Sequence, residues 1–318
     1  MGFISRQIEK IYKSVLFRRH DPDGSIYYFS QGDFPTLAAE EVSFTSQRGH
    51  ILHGCFYSYP NCRTDRLIVF EHGMGNGHAS YFCEIERICR AGYRVFSYDH
   101  TGCNKSEGEH IYGLSGSLSD LDDCINALAD MGYPEDMISV VGHSWGGFST
   151  LNILAYHPNL HSIVAMSGFI SITAMHSQLV PFPFGISLFA LEQNANPSYA
   201  SIDAITVLRH TNRPALIIHS TDDKTVSYKK NLIPLAAALK DKGNVEFLTV
   251  SGSGHNPTYT AEAFAYKESF FKDLKKKRRQ GKLNTAEQRA AFSALYDWHR
   301  MTEQNQAVWA TILDFLRK

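Results

Sequence analysis

Residues 138–149 read ISVVGHSWGGFS, and the order of residue types in this stretch decides the fold. Ile138, Val140 and Val141 make a short β-branched run, the composition of a buried strand. Gly142-His143-Ser144-Trp145-Gly146-Gly147 follows at once, and a helical pattern begins at Trp145. A strand that turns directly into a helix forces one residue into a strained, left-handed backbone conformation. The turn crowds the positions two before and two after that residue, so both must be tiny. Gly142 and Gly146 meet the demand, which leaves Ser144 as the strained residue, projecting off the end of the strand. The helix starting at Trp145 offers unpaired backbone N–H groups and the positive end of its dipole. This is the pattern of a nucleophile elbow, and its strand–turn–helix context gives the short G-x-S-x-G string its weight.

Outward from the elbow the same alternation continues. RLIVFEH (66–72), YRVFSYD (93–99), HSIVAMS (161–167), PALIIHS (214–220) and VEFLTV (245–250) read as buried strands. Helical patterns over 79–91, 117–131, 145–156 and 228–241 separate them. Residues 41–46 and 51–57 read as a hairpin around Arg48-Gly49-His50. Apolar strands alternating with amphipathic helices imply an α/β fold, a mostly parallel central sheet with helices on both faces.

One domain over 1–318 is expected, with three additions. Residues 3–17 carry Ile4, Ile8, Ile11, Tyr12, Val15 and Leu16 on one helical face, an amphipathic helix that docks on its own domain or lies on a membrane. Residues 169–200, rich in Phe, Pro and Ser, form an insertion at the carboxyl edge of the sheet; Pro181 and Pro183 break it into short pieces, as in a small lid. Residues 258–302 are helical but polar, and their run KDLKKKRRQGK (272–282) reads as a solvated helix end. A last helix lies near 303–316.

The chain has 318 residues, 43% of them hydrophobic and 20% charged, enough for a sizeable core and unlike a disordered chain. Lys and Arg total 31 against 32 Asp and Glu, a net charge of −1, which gives no global attraction for nucleic acid. The most apolar segment, 180–191, is too short to span a bilayer, so no integral membrane segment is expected. The N-terminal stretch lacks a signal-peptide core, and Arg6 stands where a myristoylation signal needs Ser or Thr. Six cysteines at positions 55, 62, 83, 89, 103 and 124 form no CxxC pair, so free thiols in a reducing cytoplasm are expected and no metal site.

A serine hydroxyl needs a base. His143 adjoins Ser144 in the chain and cannot turn back onto its hydroxyl, and His157 and His161 fall at the far end of the sheet. His255 follows VEFLTV in the glycine-flanked loop SGSGHNP and is the candidate base. The third member orients the imidazole. Asp222 and Asp223 both stand at the carboxyl end of PALIIHS, between Ser and His in chain order, and spacing alone does not separate them. A developing oxyanion needs two donors. The N–H of Trp145 is one; the other is the N–H of Met74 in Glu71-His72-Gly73-Met74-Gly75-Asn76-Gly77, where Gly73 and Gly75 allow close approach. The glycine spacing fits neither a dinucleotide nor a Walker loop.

With these motifs in view, the chain over roughly 40–318 resembles the α/β-hydrolases, closest to monoglyceride-lipase-like and serine-aminopeptidase-like serine hydrolases. The resemblance rests on HGMG (72–75), YDHTGCNKSEG (98–108), GHSWGG (142–147), IHSTDDKTV (217–225) and GSGHN (252–256). It implies Asp223 as the acid, because the family acid commonly stands three residues before a Val, here Val226. One departure lies in the D-x-x-G-x-G-x-S loop, where Asn104 replaces the second glycine. The resemblance implies a serine hydrolase cleaving a small-molecule carboxylic ester through an acyl-enzyme, without cofactor or metal. A peptidase of the prolyl-iminopeptidase kind, an acyltransferase and a non-catalytic binding module are the alternatives.

Overall fold

In β3 (Leu67–Glu71), successive side chains enter opposite cores. Leu67 and Val69 join one apolar cluster; Ile68 and Phe70 join the other. The strand's first four positions, buried on both faces, are all apolar, which is why it reads as a continuous run. The structure is a computed structural model and describes residues 3–63, 65–75 and 77–318; Asn76 of the glycine-rich loop lies outside them.

The remaining strands are β1 (Ala38–Thr45), β2 (Ile51–Ser58), β4 (Arg94–Tyr98), β5 (Ile138–His143), β6 (Ser162–Met166), β7 (Ala215–Ser220) and β8 (Val245–Val250). They form one eight-stranded sheet in the order β1-β2-β4-β3-β5-β6-β7-β8. β2 runs antiparallel to β1 and β4, and every other pairing is parallel. The expected hairpin is the β1–β2 pair, longer at both outer ends than its apolar run.

Helices are α1 (Phe3–Leu16), α2 (Phe82–Arg90), α3 (Gly116–Asp130), α4 (Trp145–Asn152), α5 (Ile172–Leu179), α6 (Phe184–Ala195), α7 (Ala204–His210), α8 (Leu232–Ala238), α9 (Ala261–Arg279), α10 (Ala286–Ser293), α11 (Trp298–Met301) and α12 (Gln306–Leu316). The core on one face holds Leu118, Leu121 and Ile125 of α3 with Phe148 and Leu151 of α4. The other holds Ile85 and Ile88 of α2 with Trp309 and Ile312 of α12. Each such aliphatic side chain contributes roughly 1.5–3 kcal/mol on burial.

Some boundaries move inward. The helix expected over 145–156 is α-helical only to Asn152 and closes as a 3-10 turn over Ile153–Ala155. That expected over 228–241 is confined to α8. The stretch 169–200 holds α5 and α6 with Pro181 and Pro183 between them, and Ser171 caps α5 by accepting from Ala174 N–H. The polar stretch 258–302 folds as α9, α10 and α11 around their own small apolar cluster of Phe270, Leu274, Leu283, Phe292 and Met301. The basic run ends α9, with its lysines and arginines largely exposed.

α1 lies against α6, with Tyr12 and Leu16 buried. The fully buried Glu192 of α6 fixes it there. Its carboxylate accepts from Tyr12 Oη at 2.5 Å, from the backbone N–H groups of Leu114 and Ser115, and from Ser115 Oγ. Tyr12 Oη also lies 2.8 Å from Nε2 of His176 on α5. No described helix is long and apolar enough to cross a membrane.

Candidate active site

The elbow follows from close approach. Ser144 sits at φ 59°, ψ −112°, between β5 and α4. A Cβ on Gly142 would overlap Thr150 Oγ1 and the Gly146 carbonyl, and one on Gly146 would overlap the Glu71 and His72 carbonyls. Both positions therefore exclude any larger residue. Ser144 N–H donates to the Met166 carbonyl of β6 at 2.8 Å, which pins the turn to the sheet.

Ser144 Oγ lies 2.7 Å from His255 Nε2, and His255 Nδ1 lies 2.8 Å from Asp223 Oδ2. Asp223, ionised, only accepts, so the imidazole proton sits on Nδ1 and the serine hydroxyl donates to Nε2. The Asp223 side chain is fully buried, while that of His255 keeps 19% of its surface exposed. Burial alone would raise the Asp223 pKa. Hydrogen bonds from His219, His255 and the Val226 N–H outweigh it and hold the carboxyl well below the usual carboxylate range. Oδ1 accepts from the Thr225 and Val226 N–H groups at 2.8 and 2.9 Å.

Asp222, the other candidate acid, faces elsewhere. Its Oδ1 accepts from Ser220 Oγ at 2.5 Å and Gly252 N–H at 2.9 Å, and its Oδ2 from Gly254 N–H at 3.3 Å. It holds the backbone of the loop that carries His255.

His143, set aside as a base by its place beside Ser144, and His219 at the carboxyl end of β7 support this chain. His143 Nε2 donates to the His255 carbonyl at 2.6 Å, while its Nδ1 accepts from Tyr81 Oη at 2.8 Å. Burial, and next the nearby His255, push its pKa down to about 3, so the ring is neutral. His219 Nε2 lies 2.9 Å from the Val226 carbonyl and 3.3 Å from Asp223 Oδ2. Neither role shows in the sequence, because the partners are elements remote in the chain or backbone atoms.

Gly73 packs against Ser144 Cβ and Tyr81 Oη, with no room for a side chain, and the next peptide N–H is that of Met74. Gly75 has φ 142°. Trp145, at the first turn of α4, has its N–H among those a helix start leaves unpaired. Its indole is buried and donates to the Leu114 carbonyl at 2.6 Å. The departure at Asn104 leaves the neighbouring loop intact. Asn104 takes φ 45°, a region Asn tolerates, and its Nδ2 donates to Asp99 Oδ2 at 2.9 Å.

From Met74 an apolar groove of about 470 Å³ runs between Ile8, Tyr12 and Leu16 of α1 and Met175, Leu179 and Leu188 of α5 and α6. Its volume falls in the range of small-molecule sites. That α1 forms a wall of this groove is not visible in its sequence; its apolar period shows a face without showing what the face meets. Among the described residues no three His, Cys, Asp or Glu side chains converge as a metal-ligand set.

This geometry, a serine, an imidazole and a buried carboxylate in one hydrogen-bonded line, can run nucleophilic acyl transfer. The family model described as serine aminopeptidase, S33, matches residues 63–191. A monoglyceride lipase of Rattus norvegicus is 30% identical over 106 residues, 33% of this chain and 35% of that protein. Alpha/beta hydrolase domain-containing protein 17C of Xenopus tropicalis is 26% identical over 224 residues, 69% of this chain and 65% of that one. The matched region thus spans about a third of the rat protein and just under two thirds of the frog one. Among solved structures, a Pyrococcus furiosus esterase superposes with a TM-score of 0.59 at 18% identity, over 81% of this chain and 98% of that one. The chain has the α/β-hydrolase fold.

Proposed function

We propose that the chain is a serine hydrolase that cleaves a carboxylic ester with an apolar acyl group, through an acyl-enzyme. The observation that carries the reading is the unbroken line from Ser144 Oγ to His255 to Asp223, at 2.7 and 2.8 Å. Ser144 Oγ attacks the ester carbonyl as His255 Nε2 takes its proton. The oxyanion is held by the N–H groups of Met74 and Trp145. The tetrahedral adduct collapses, and His255 returns the proton to the departing alcohol. Water then repeats the sequence on the acyl-serine, releasing the acid and regenerating Ser144. Asp223 stays ionised throughout, orienting the ring and stabilising its charged form. The insertion holding α5 and α6 serves as a lid whose inner face contacts the acyl chain.

The match to the serine aminopeptidase model favours a second reading, a peptidase. Such a substrate presents a free amine, which calls for a carboxylate in its pocket. None of the residues lining the groove is acidic, and the lining is nearly all apolar, which supports the ester reading. The test pairs a fluorophosphonate probe with p-nitrophenyl esters and aminoacyl-naphthylamides. Wild type should label and cleave the esters, and Ser144→Ala should do neither, losing several orders of magnitude in rate. Faster cleavage of the naphthylamides would favour the peptidase, and a variant keeping a tenth of the turnover would overturn the serine assignment.

A further inference from the structure

Twelve large apolar side chains are exposed among the described residues, and six of them crowd onto two segments that touch. On α1, Ile4, Ile11 and Val15 are 62%, 65% and 45% exposed; on the α5–α6 segment, Leu179, Phe182 and Ile186 are 49%, 87% and 62% exposed. The spacings i, i+7 and i+11 place the three α1 residues on one stripe, beside the stripe of Tyr12 and Leu16 that the domain covers. The apolar face of α1 is therefore wider than its own domain buries. Ser5 Oγ lies 3.4 Å from Ser187 Oγ, which fixes the two segments edge to edge. Ile11, Val15 and Leu179 also line the groove that leads from Met74. The exposed residues thus rim the mouth of an apolar channel rather than scatter over the surface, where single apolar residues would be unremarkable.

We propose that this rim is a docking face for a lipid surface, and that its occupant is a bilayer containing anionic phospholipid. Charge selects that occupant. α1 carries Arg6, Lys10 and Lys13 against a single acid, Glu9, and Arg18 follows it, with these four basic residues exposed. Lys10 and Lys13 make no ion pair among the described residues. Cationic side chains beside an apolar stripe attract anionic headgroups as the stripe enters the acyl boundary. A second copy of this chain fits less well, since a symmetric contact would bring the basic side of α1 near its own copy. The helix has 14 residues and would lie in the interface plane without crossing it. An ester dissolved in the bilayer would then pass from lipid into the groove along a continuous apolar path.

The docking face stands whether or not Ser144 is the nucleophile, so binding and hydrolysis are measured separately. The full chain is co-sedimented with vesicles of phosphatidylcholine, with and without phosphatidylserine. Wild type should partition onto the mixed vesicles, less so at high salt. The triple variant Ile4→Glu, Phe182→Glu, Ile186→Glu should partition roughly tenfold less. It should keep its circular dichroism and hydrolyse soluble p-nitrophenyl butyrate within about twofold of wild type, since these exposed side chains lie outside the acyl groove. Failure of wild type to bind the anionic vesicles would overturn the proposal, as would a triple variant that binds equally well. So would a wild-type dimer, seen by sedimentation velocity and abolished in the variant, that forms with no vesicle binding.

Discussion

Asp223 and Asp222 hold the same histidine loop by different handles: the Asp223 carboxylate reaches the His255 imidazole at 2.8 Å, and the Asp222 carboxylate reaches the loop's backbone at Gly252 and Gly254. The two acids therefore differ in chemistry although they are adjacent in the chain. Asp223→Asn replaces an obligate acceptor with a group that can donate, so the ring loses its preference for Nδ1–H. In a serine protease with this arrangement the same change lowers kcat by about 10⁴. Asp222→Asn keeps an oxygen that can accept from a backbone N–H and should cost about tenfold or less, largely through loop order. Kinetics of both variants on one ester decide it; a dead Asp222 variant beside an active Asp223 variant would reverse the assignment.

The elbow was legible because its geometry is written in a few adjacent residues: only glycine fits beside Ser144, at 142 and 146. The choice between Asp222 and Asp223 was not legible from spacing, since it depends on which way two neighbouring carboxylates turn. It took the resemblance to favour Asp223. The Glu192 cluster was beyond the sequence for another reason. A fully buried acid in a stretch of Phe, Ser and Ala looks like an ordinary helix residue, and its partner Tyr12 lies 180 positions away. His143 illustrates the same limit. Its neighbour Ser144 excluded it as the base, but nothing local announced that it braces the His255 carbonyl.

Under the elbow, His100 is fully buried between Glu71 and Asp120, with its ring nitrogens 3.2 and 3.3 Å from their carboxylates and its ring 4.8 Å from that of Trp145. Burial alone would lower its pKa; the charges of Glu71 and Asp120 beside the ring outweigh it and push it up to about 9. A histidine whose folded pKa exceeds its unfolded value binds its proton more tightly in the native state. Its contribution to stability is fully present below about pH 6.5 and is lost as pH rises through about 9. Glu84 and Asp123, both pushed up to about 7 chiefly by burial, finish titrating earlier. Burial also raises the pKa of Cys55, Cys83, Cys89, Cys103 and Cys124, so stability falls between about pH 8 and 10 for two reasons. The His100 share of that fall, about 1–2 kcal/mol, is the difference between wild type and a variant lacking the imidazole. Denaturant melts of wild type and His100→Gln across that window check it; equal slopes would remove His100 from the explanation.

Tyr12 Oη bridges Glu192 and His176, and so ties the α1 wall of the groove to the α5–α6 wall. Tyr12→Phe keeps the ring and its packing but removes the hydroxyl. Glu192 retains its bonds from Leu114, Ser115 and Ser115 Oγ, so the acid is not orphaned. The loss should be about 1–3 kcal/mol of stability. A loosened wall should raise KM for a long-chain ester several-fold and leave kcat for an acetate ester, which does not reach α1, within about twofold. Equal changes for both esters would mean that α1 supports the fold without shaping the groove.

The groove sets how much acyl chain the site can use. It is apolar from Met74 to its rim, with about 470 Å³ of space, and its far end opens between α1 and the α5–α6 segment. Each methylene drawn from water into such a groove contributes about 0.8 kcal/mol, close to a fourfold gain in kcat/KM. The gain continues while the added carbons still touch wall and stops once they emerge past Leu179 and Val15 into solvent. A series of p-nitrophenyl esters from acetate to palmitate should therefore climb steeply through short chains and level off or fall at medium length. Leu179→Trp, at a half-exposed site on the wall, should move that break toward shorter chains and leave acetate turnover unchanged. The variant separates filling of this groove from a general preference for greasy substrates. A maximum at palmitate would contradict a groove of this depth. A break unmoved by Leu179→Trp would place the acyl chain elsewhere.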